Sequence, residues 1–267
     1  MNSMPNLELV DSWRRAGIKN GDCVLLHSSV SRTMRRMRRR LETFSLENLL
    51  QSFIDAVGAK GTLLLPLFNF SFCGGTAFDI RSTPSTMGAI TEVARNDSRF
   101  VRTKHPIYSF AVCGRRASEF ALLTNSSALA DDGPFGLLRR VDGKIAVLDL
   151  DDQNSMTMYH HIEEVTGVDY RYHKSFTGEY IDAMGQRTTQ SFELFVWDES
   201  RGVCTDVNRA GELLWSEGLY SGSRPGVDSG LRVIESQKMF EVIQQVIRSG
   251  RARDFLYSLQ PASDSHD

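Results

Sequence analysis

The sequence predicts an α/β fold in which helices pack around a mainly buried sheet. Short apolar runs that end in small or polar residues are typical of strands buried on both faces. Between them lie stretches whose apolar residues recur every three or four positions, as on the inward face of a helix. Strands and helices alternate without an internal repeat or a linker-like segment, which predicts a single domain over residues 1–260. The polar residues 261–267 are predicted to form a disordered tail.

The first half of the chain contains five predicted elements. Ser45 and Ser85 stand where a helix N-cap is expected, and Gly58 follows the last apolar residue of its helix. Pro66 marks an edge or a bend in the strand "GTLLLPLFNFSF". We predict helices over residues 7–17, 45–58 and 85–96, and strands over residues 23–29 and 61–72.

The second half continues the alternation. "YSFAVCG" and "GKIAVLDLD" are apolar enough for buried strands, whereas "TQSFELFVWDE" alternates as a half-buried strand does. Gly167 ends the helical stretch "SMTMYHHIEEVTG". We predict strands over residues 108–114, 143–151 and 189–199, and helices over residues 155–167, 209–218 and 237–250.

Composition excludes several classes of protein. The formal net charge of -2 and the pI near 6.3 argue against a nucleic-acid-binding domain, which is usually strongly basic. Four scattered cysteines without a CxxC pair make a disulfide framework and a zinc cluster improbable. No apolar run approaches 18 residues, and the N-terminus has no signal-peptide core. We therefore expect a cytoplasmic protein that does not bind membranes.

Residues 32–40, "RTMRRMRRR", form a local exception with six arginines in nine positions. Such a run can bind nucleic acid or another anionic surface. A solvated helix face or loop is the simpler interpretation and the one that we favour from the sequence. A third interpretation, contact with the phosphates of a cosubstrate, depends on the family resemblance described below.

Three of the six histidines occupy positions suited to chemistry. His27 ends an apolar strand, and ligands of open α/β sheets commonly bind beyond the carboxyl ends of the strands. His160 and His161 point about 100° apart on a helix, so only one of them can share a face with Glu163. An imidazole whose tautomer is fixed by a carboxylate is equipped to act as a general base. A solvated helix face is equally compatible with the spacing. His105 and His173 lie in no motif, which favours structural roles.

Five stretches occur in the order seen in one family of enzymes. They are "VLLHSSVS", "GTLLLPLFNFSF", "FDIRSTPSTMGAITEVAR", "RTKHPIYSFAVCG" and "DGKIAVLDLDDQNSMTMYHHIEE". In these stretches the chain resembles the aminoglycoside 3-N-acetyltransferases. The resemblance implies a three-layer α/β/α sandwich around a mixed β-sheet. It also implies transfer of an acetyl group from acetyl-CoA to the amine of an aminoglycoside or amino sugar, without a metal or a covalent enzyme intermediate.

The resemblance also assigns site residues. The family's T-x-x-H-x-x-E pattern implies that His160 is the general base and that Glu163 is its carboxylate neighbour, with Asp198 as a further acid of the catalytic site. The residues implied to bind acetyl-CoA are His27, Ser28, Ser29, Val30, Ser85, Thr86 and Met87. Those implied to bind the acceptor are Thr157 and Glu164.

The departures from the family pattern lie around the expected pocket. Tyr108 replaces a histidine, Val196 replaces an acid, and the segment 135–143 is shorter than usual. The acceptor can therefore be an aminoglycoside, a nucleotide-linked amino sugar or another amine metabolite, and a non-catalytic CoA-binding member of the family is a further alternative. We expect a small-molecule amine as partner and no nucleic acid, and we leave a homodimer open.

Overall fold

The computed structural model describes residues 4–259, so the predicted tail at 261–267 lies outside the described residues. Its strands alternate with helices along most of the chain. The strands within this range are β1 (Cys23–Ser28), β2 (Thr62–Pro66), β3 (Phe78–Asp79), β4 (Val101–Arg102), β5 (Phe110–Gly114), β6 (Lys144–Leu148), β7 (Arg171–Ile181), β8 (Arg187–Trp197), β9 (Val203–Thr205), β10 (Ser221–Gly222), β11 (Leu231–Glu235) and β12 (Tyr257–Leu259).

The helices follow the same alternation. Those within the described range are α1 (Met4–Ala16), α2 (Ser31–Arg38), α3 (Leu46–Val57), α4 (Ala89–Asn96), α5 (Ala117–Ala121), α6 (Pro134–Arg140), α7 (Met158–Thr166), α8 (Asn208–Ser216), α9 (Ser236–Arg248) and α10 (Ala252–Phe255). None of these helices is both long and apolar enough to cross a membrane.

The main sheet is mixed, as the family resemblance implies. Among residues 4–259 its strand order is β10-β11-β6-β1-β2-β5-β4. The central strands β6, β1 and β2 are parallel, whereas β5 and β4 on one side and β11 and β10 on the other are antiparallel. The carboxyl ends of the three parallel strands therefore meet at one edge of the sheet, close to the start of β5.

Helices cover both faces of this sheet. Val24 and Leu63 pack with α1, α3 and α4 on one face, and Leu25 and Leu64 pack with α7 and α9 on the other. The side chains of a strand alternate between faces, so each strand contributes to both cores and must be apolar throughout. The predicted three-layer α/β/α fold is confirmed.

A long hairpin forms a second, smaller sheet. Strands β7 and β8 pair antiparallel over eleven residues each, and β3 adds to β7 in parallel. We predicted β8 but not β7. Only three of the eleven residues of β7 are buried, so its sequence "RYHKSFTGEYI" lacks the apolar run that identifies the buried strands. We also missed β11, the short strand "LRVIE" in the main sheet.

Two helix starts can be compared with the prediction. Ser45 is an N-cap, and its hydroxyl accepts the N–H of Asn48 in a capping box. The prediction that Ser85 caps the next helix is wrong, because α4 begins four residues later after Gly88, whose φ is 116°. The Ser85 hydroxyl instead accepts the N–H of Met87, so these residues form a turn in front of the helix.

The arginine run begins in helix α2 and continues two residues beyond the helix end at Arg38. Met34 and Met37 are buried against the core, and the arginines are exposed. This is the amphipathic arrangement of a solvated helix face, the interpretation that we favoured from the sequence.

Candidate active site

A cleft of about 330 Å³ opens at the edge where the carboxyl ends of β1, β2 and β6 meet. Its wall comes from the end of β1, the segments that follow β2 and β6, the residues before β5, the first turns of α7 and the β9–α8 connection. The lining residues are His27, Phe68, Phe70, Met87, Tyr108, Asp152, Gln153, Asn154, Ser155, Met156, Thr157, His160, Thr205 and Val207.

The segment between β6 and α7 is held by a buried carboxylate. Asp152 accepts hydrogen bonds from the hydroxyls of Tyr159 and Tyr220 at 2.6 and 2.7 Å and pairs with Arg232 at 2.9 Å. Burial raises the pKa of Asp152 despite these partners. Gly211 packs so closely that an added Cβ would lie 2.6 Å from the Asp152 carboxyl carbon. This network fixes the direction in which α7 starts.

His160, near the start of α7, contacts two buried charged side chains. Its Nδ1 lies 3.0 Å from Glu163 Oε2 and 2.9 Å from Arg171 Nη2. Glu163 and Arg171 also pair directly, at 3.1 Å, and each side chain is only 2% exposed. The imidazole, carboxylate and guanidinium thus form one compact cluster, which we call the His160 cluster.

The pKa values of this cluster reflect its burial. Burial and the charge of Arg171 lower the pKa of His160, and the hydrogen bond with Glu163 only partly opposes them. Burial alone would raise the pKa of Glu163, but Arg171 and the hydrogen bonds outweigh it and the net shift is downward. At neutral pH the cluster therefore holds a neutral imidazole beside an ionised carboxylate.

Two neighbours act on the tautomer of His160 from the same side. The ionised carboxylate of Glu163 is only an acceptor and favours the proton on Nδ1, whereas the guanidinium of Arg171 is only a donor and favours the proton on Nε2. In the tautomer that Glu163 favours, Nε2 presents a lone pair, and among the described residues nothing hydrogen-bonds it. Such an imidazole can accept a proton from a group in the cleft.

Tyr170 and Trp197 also contact the cluster. The sequence did not predict that these two residues or Arg171 belong to the site. The Tyr170 hydroxyl donates to Glu163 Oε1 at 2.9 Å. The Trp197 ring meets His160 edge-on at 5.5 Å between centroids, and its face lies 4.8 Å from the Arg171 guanidinium carbon. A buried glutamate predicts a cation nearby, but no motif indicates which arginine it is.

His161 is turned away from the cleft, as predicted. Its Nδ1 lies 2.6 Å from the Leu129 carbonyl, and its ring packs against Phe135 and Phe240. Burial lowers its pKa to about 4. It is a core residue of the layer between α6, α7 and α9.

Two of the seven residues predicted to bind acetyl-CoA line the cleft. His27 and Met87 line it directly. Thr86 donates from its backbone and hydroxyl to the Phe68 carbonyl, at 3.0 Å each, and Ser85 contacts the Pro66 carbonyl, so this turn is fixed to the end of β2. Ser28, Ser29 and Val30 lead from β1 into α2, where Val30 lines a separate groove beside the arginines.

His27 is a buried polar group without a partner in the described chain. It is 6% exposed, and its Nε2 makes no hydrogen bond among residues 4–259. Burial and the nearby charge of Arg232 lower its pKa to about 3. A buried, unpaired polar atom costs about 1–3 kcal/mol, which is more readily explained where a ligand can satisfy it.

Of the other predicted site residues, Thr157 lines the cleft and two acids do not. Glu164 lies on the side of α7 facing Ser127 and His173, and burial raises its pKa. Asp198 follows β8, where it accepts the Ser200 hydroxyl at 2.5 Å. Among the described residues no three His, Cys, Asp or Glu side chains are arranged to hold a metal ion.

A family model described as aminoglycoside 3-N-acetyltransferase matches residues 25–248. The chain belongs to the aminoglycoside 3-N-acetyltransferase family. It is therefore an acetyl-CoA-dependent acyltransferase, and acetyl-CoA is its cosubstrate. A search of curated protein sequences finds no significant match to the chain.

Solved structures of this family share its fold. The aminoglycoside acetyltransferase AAC(3)-Xa superimposes with a TM-score of 0.76 at 18% identity, over 91% of this chain and 92% of that one. AAC-IIIb in its binary complex with CoASH gives 0.75 at 15% identity, over 92% and 96%. AAC-VIa with bound sisomicin gives 0.74 at 20% identity, over 92% and 98%.

Proposed function

We propose that this family member transfers the acetyl group of acetyl-CoA to an amine of an aminoglycoside or amino sugar, with His160 as the general base. The observation that carries the proposal is the His160 cluster. His160 lines the cleft, its pKa is lowered, and its Nδ1 contacts the Glu163 carboxylate while no described residue hydrogen-bonds its Nε2. A base must be unprotonated at working pH and within reach of the acceptor, and this arrangement meets the first condition.

The proposed reaction is a direct displacement. An amine at neutral pH is mostly protonated, and the free amine attacks the thioester carbonyl carbon while His160 Nε2 accepts a proton from its nitrogen. Glu163 supports the imidazolium that forms, because its carboxylate faces the protonated Nδ1 at 3.0 Å. The tetrahedral intermediate then expels the CoA thiolate, which takes the proton held by His160.

The path proposed for acetyl-CoA runs from the cleft past two turns. His27 and Met87 are in the cleft, and Val30 and Ala89, a few residues further along the same segments, line a second groove of about 570 Å³. The pantetheine arm would pass along Ser28–Ser29 and the Ser85–Met87 turn, placing the reactive end near His160.

The second groove is suited to the phosphates of the cosubstrate. Its wall includes three exposed arginines of the run, Arg35, Arg38 and Arg39. Within residues 4–259 neither Arg35 nor Arg39 pairs with a carboxylate, so both are available to an anion. Guanidinium groups form strong, charge-assisted hydrogen bonds with phosphate. We infer that the exposed face of helix α2 also contacts the phosphates of acetyl-CoA.

Aminoglycosides are the first choice of acceptor. AAC-VIa has been solved with sisomicin, and a histidine-to-alanine mutant of AAC(3)-IVa has been solved with a gentamicin and with apramycin. One observation favours a less cationic acceptor, such as a single amino sugar in its free or nucleotide-linked form. Glu164 and Asp198 do not line the cleft, and its carboxylate Asp152 is already neutralised by Arg232.

The test is a thiol-release assay with acetyl-CoA and a panel of amines that includes sisomicin, gentamicin, apramycin and monomeric amino sugars. At least one amine should accelerate release of free CoA. The variant His160→Ala should lower the turnover number about 100-fold or more. His173→Ala, a partly exposed histidine on the hairpin, is the matched control and should retain activity.

Two results would contradict the proposal. Binding of CoA without transfer to any amine would support the non-catalytic alternative. Loss of activity in His161→Ala with full activity in His160→Ala would show that the base is on the other face of α7. Whether the protein is a homodimer stays a prediction, to be measured by light scattering of the purified chain.

A further inference from the structure

Tyr108 contributes a hydroxyl to the cleft that no protein group uses. It lines the cleft together with His27 and His160, and its hydroxyl makes no hydrogen bond within residues 4–259. Three other polar side chains of the cleft are already bound. Gln153 contacts Thr205 and Val207, Asn154 contacts Asp151, and the Ser155 hydroxyl donates to the Asp151 carbonyl.

The ring of Tyr108 is held rigidly. It packs against Phe68 at 4.3 Å between centroids and meets Phe70 edge-on at 5.6 Å. Its backbone N–H donates to Nδ1 of the buried His105 at 3.2 Å, and the N–H of Ile107 donates to the same atom. His105 thereby orders the turn that carries Tyr108 and is a positioning residue for it.

The electrostatics keep the hydroxyl protonated. Burial raises the pKa of Tyr108 to about 12, and the charge of Arg171 only partly opposes this shift. At neutral pH the hydroxyl is therefore a hydrogen-bond donor. A donor fixed before the reaction is most effective where negative charge develops in the transition state.

We propose that Tyr108 is a catalytic residue whose hydroxyl donates a hydrogen bond to the thioester oxygen of acetyl-CoA as that oxygen becomes an oxyanion. The inference rests on the proposed function and adds the group that stabilises its intermediate. When the amine nitrogen bonds to the carbonyl carbon, the C=O π electrons move to oxygen. The hydroxyl of Tyr108 keeps its proton and stabilises this charge. The electrons then re-form C=O, the C–S bond breaks, and the thiolate receives the proton that His160 took from the amine.

The other free hydroxyls of the cleft are less suited to this role. Thr157 and Thr205 also bring hydroxyls to the cleft. A phenol is a stronger donor than an aliphatic hydroxyl, and the ring of Tyr108 is fixed by its aromatic neighbours.

The test is Tyr108→Phe, which removes one oxygen and keeps the ring. We expect the turnover number to fall about 100- to 1,000-fold, the usual loss for one oxyanion donor, while the KM for acetyl-CoA changes less than about twofold. The melting temperature should not fall, because the hydroxyl has no protein partner within the described range. Tyr180→Phe is the matched control, since its hydroxyl donates to the Lys104 carbonyl away from the cleft. That variant should retain full turnover.

Three outcomes overturn the inference for Tyr108. They are an unchanged turnover number in Tyr108→Phe, a loss expressed only in KM or in the Kd of CoA, and a comparable fall in Thr157→Val with none in Tyr108→Phe. A wild-type protein that releases CoA with no amine of the panel would instead overturn the proposed function, and this step with it. An active wild type with an active Tyr108→Phe variant overturns this step alone.

Discussion

The variant Glu163→Gln tests how the His160 cluster prepares its base. The substitution keeps the shape of the side chain, removes one charge and adds an N–H donor. Oε2 of Glu163 lies 3.0 Å from His160 Nδ1, so the amide of glutamine can donate to that nitrogen. Nδ1 then faces two donors, the amide and Arg171, with no carboxylate to oppose them, so the tautomer with the proton on Nε2 is favoured and Nε2 can no longer accept a proton. We expect the turnover number to fall about 100- to 10,000-fold, the full contribution of a general base.

The same change should also destabilise the fold. Arg171 is 2% exposed and would lose its only close carboxylate among the described residues. Breaking a buried ion pair costs about 3–5 kcal/mol. In a protein of this size each kcal/mol lowers the melting temperature by about 2–4 °C, so a fall of about 6–20 °C is expected. The double variant Glu163→Gln with Arg171→Met removes both charges and should recover much of the stability but none of the activity.

Thiol release per folded molecule and thermal denaturation, measured on the same preparations, separate the two effects. Glu179→Gln is the control, because Glu179 forms an exposed pair with Arg187 at 3.0 Å on the hairpin. An exposed pair contributes little, so this variant should match the wild type in both assays. If Glu163→Gln loses stability but keeps its turnover within about fivefold, the carboxylate supports the fold alone and the tautomer argument is wrong.

Three further predictions concern other parts of the chain. Charge reversal of Arg35 and Arg39 should raise the Kd of CoA more than about tenfold but leave binding of a pantetheine fragment unchanged; an equal effect on both ligands would place the phosphates elsewhere. Buried histidines such as His161, whose pKa is lowered from 6.5 to about 4, remain neutral when the unfolded chain becomes protonated. The free energy of unfolding should therefore decrease as the pH falls from 6.5 to 4, by about 3 kcal/mol for such a residue, and urea denaturation across this window measures it. Gly211→Ala should lower the urea midpoint although alanine favours helices, because its Cβ would lie 2.9 Å from Asp152 Oδ1; an unchanged midpoint would mean that Asp152 can move.

The buried elements of the fold could be predicted from the sequence, and the exposed ones could not. Strands β1, β2, β5 and β6 lie between two layers of helices, so nearly every residue along them is apolar and the run is conspicuous. Strand β7 has only three buried residues among its eleven, so its sequence resembles a polar segment. The start of α4 was misplaced because Ser85 uses its hydroxyl for the turn before Gly88 and not for a helix cap.

The candidate site divides in the same way. His160 and Glu163 are three residues apart on one helix, and the contact between them follows from helical geometry. Arg171, the first residue of the unpredicted strand β7, and Tyr170, which precedes it, also contact Glu163. Both residues follow the glycine that ends α7. Their contact depends on how the hairpin packs against α7. That packing cannot be predicted from the spacing of residues or from the composition of the sequence.

The neighbouring histidines of α7 show that burial and a low pKa do not by themselves make a base. His161 is buried and His160 is half-buried, and both have lowered pKa values. In His161 the Nδ1 lies 2.6 Å from the Leu129 carbonyl, and the other nitrogen is enclosed by the core with no partner in the described chain. The Nδ1 of His160 lies 3.0 Å from the Glu163 carboxylate, and His160 lines the cleft. The difference is therefore positional. Because successive residues of a helix are rotated by about 100°, the imidazole of His160 faces the cleft, where a substrate can contact it, and that of His161 faces the core.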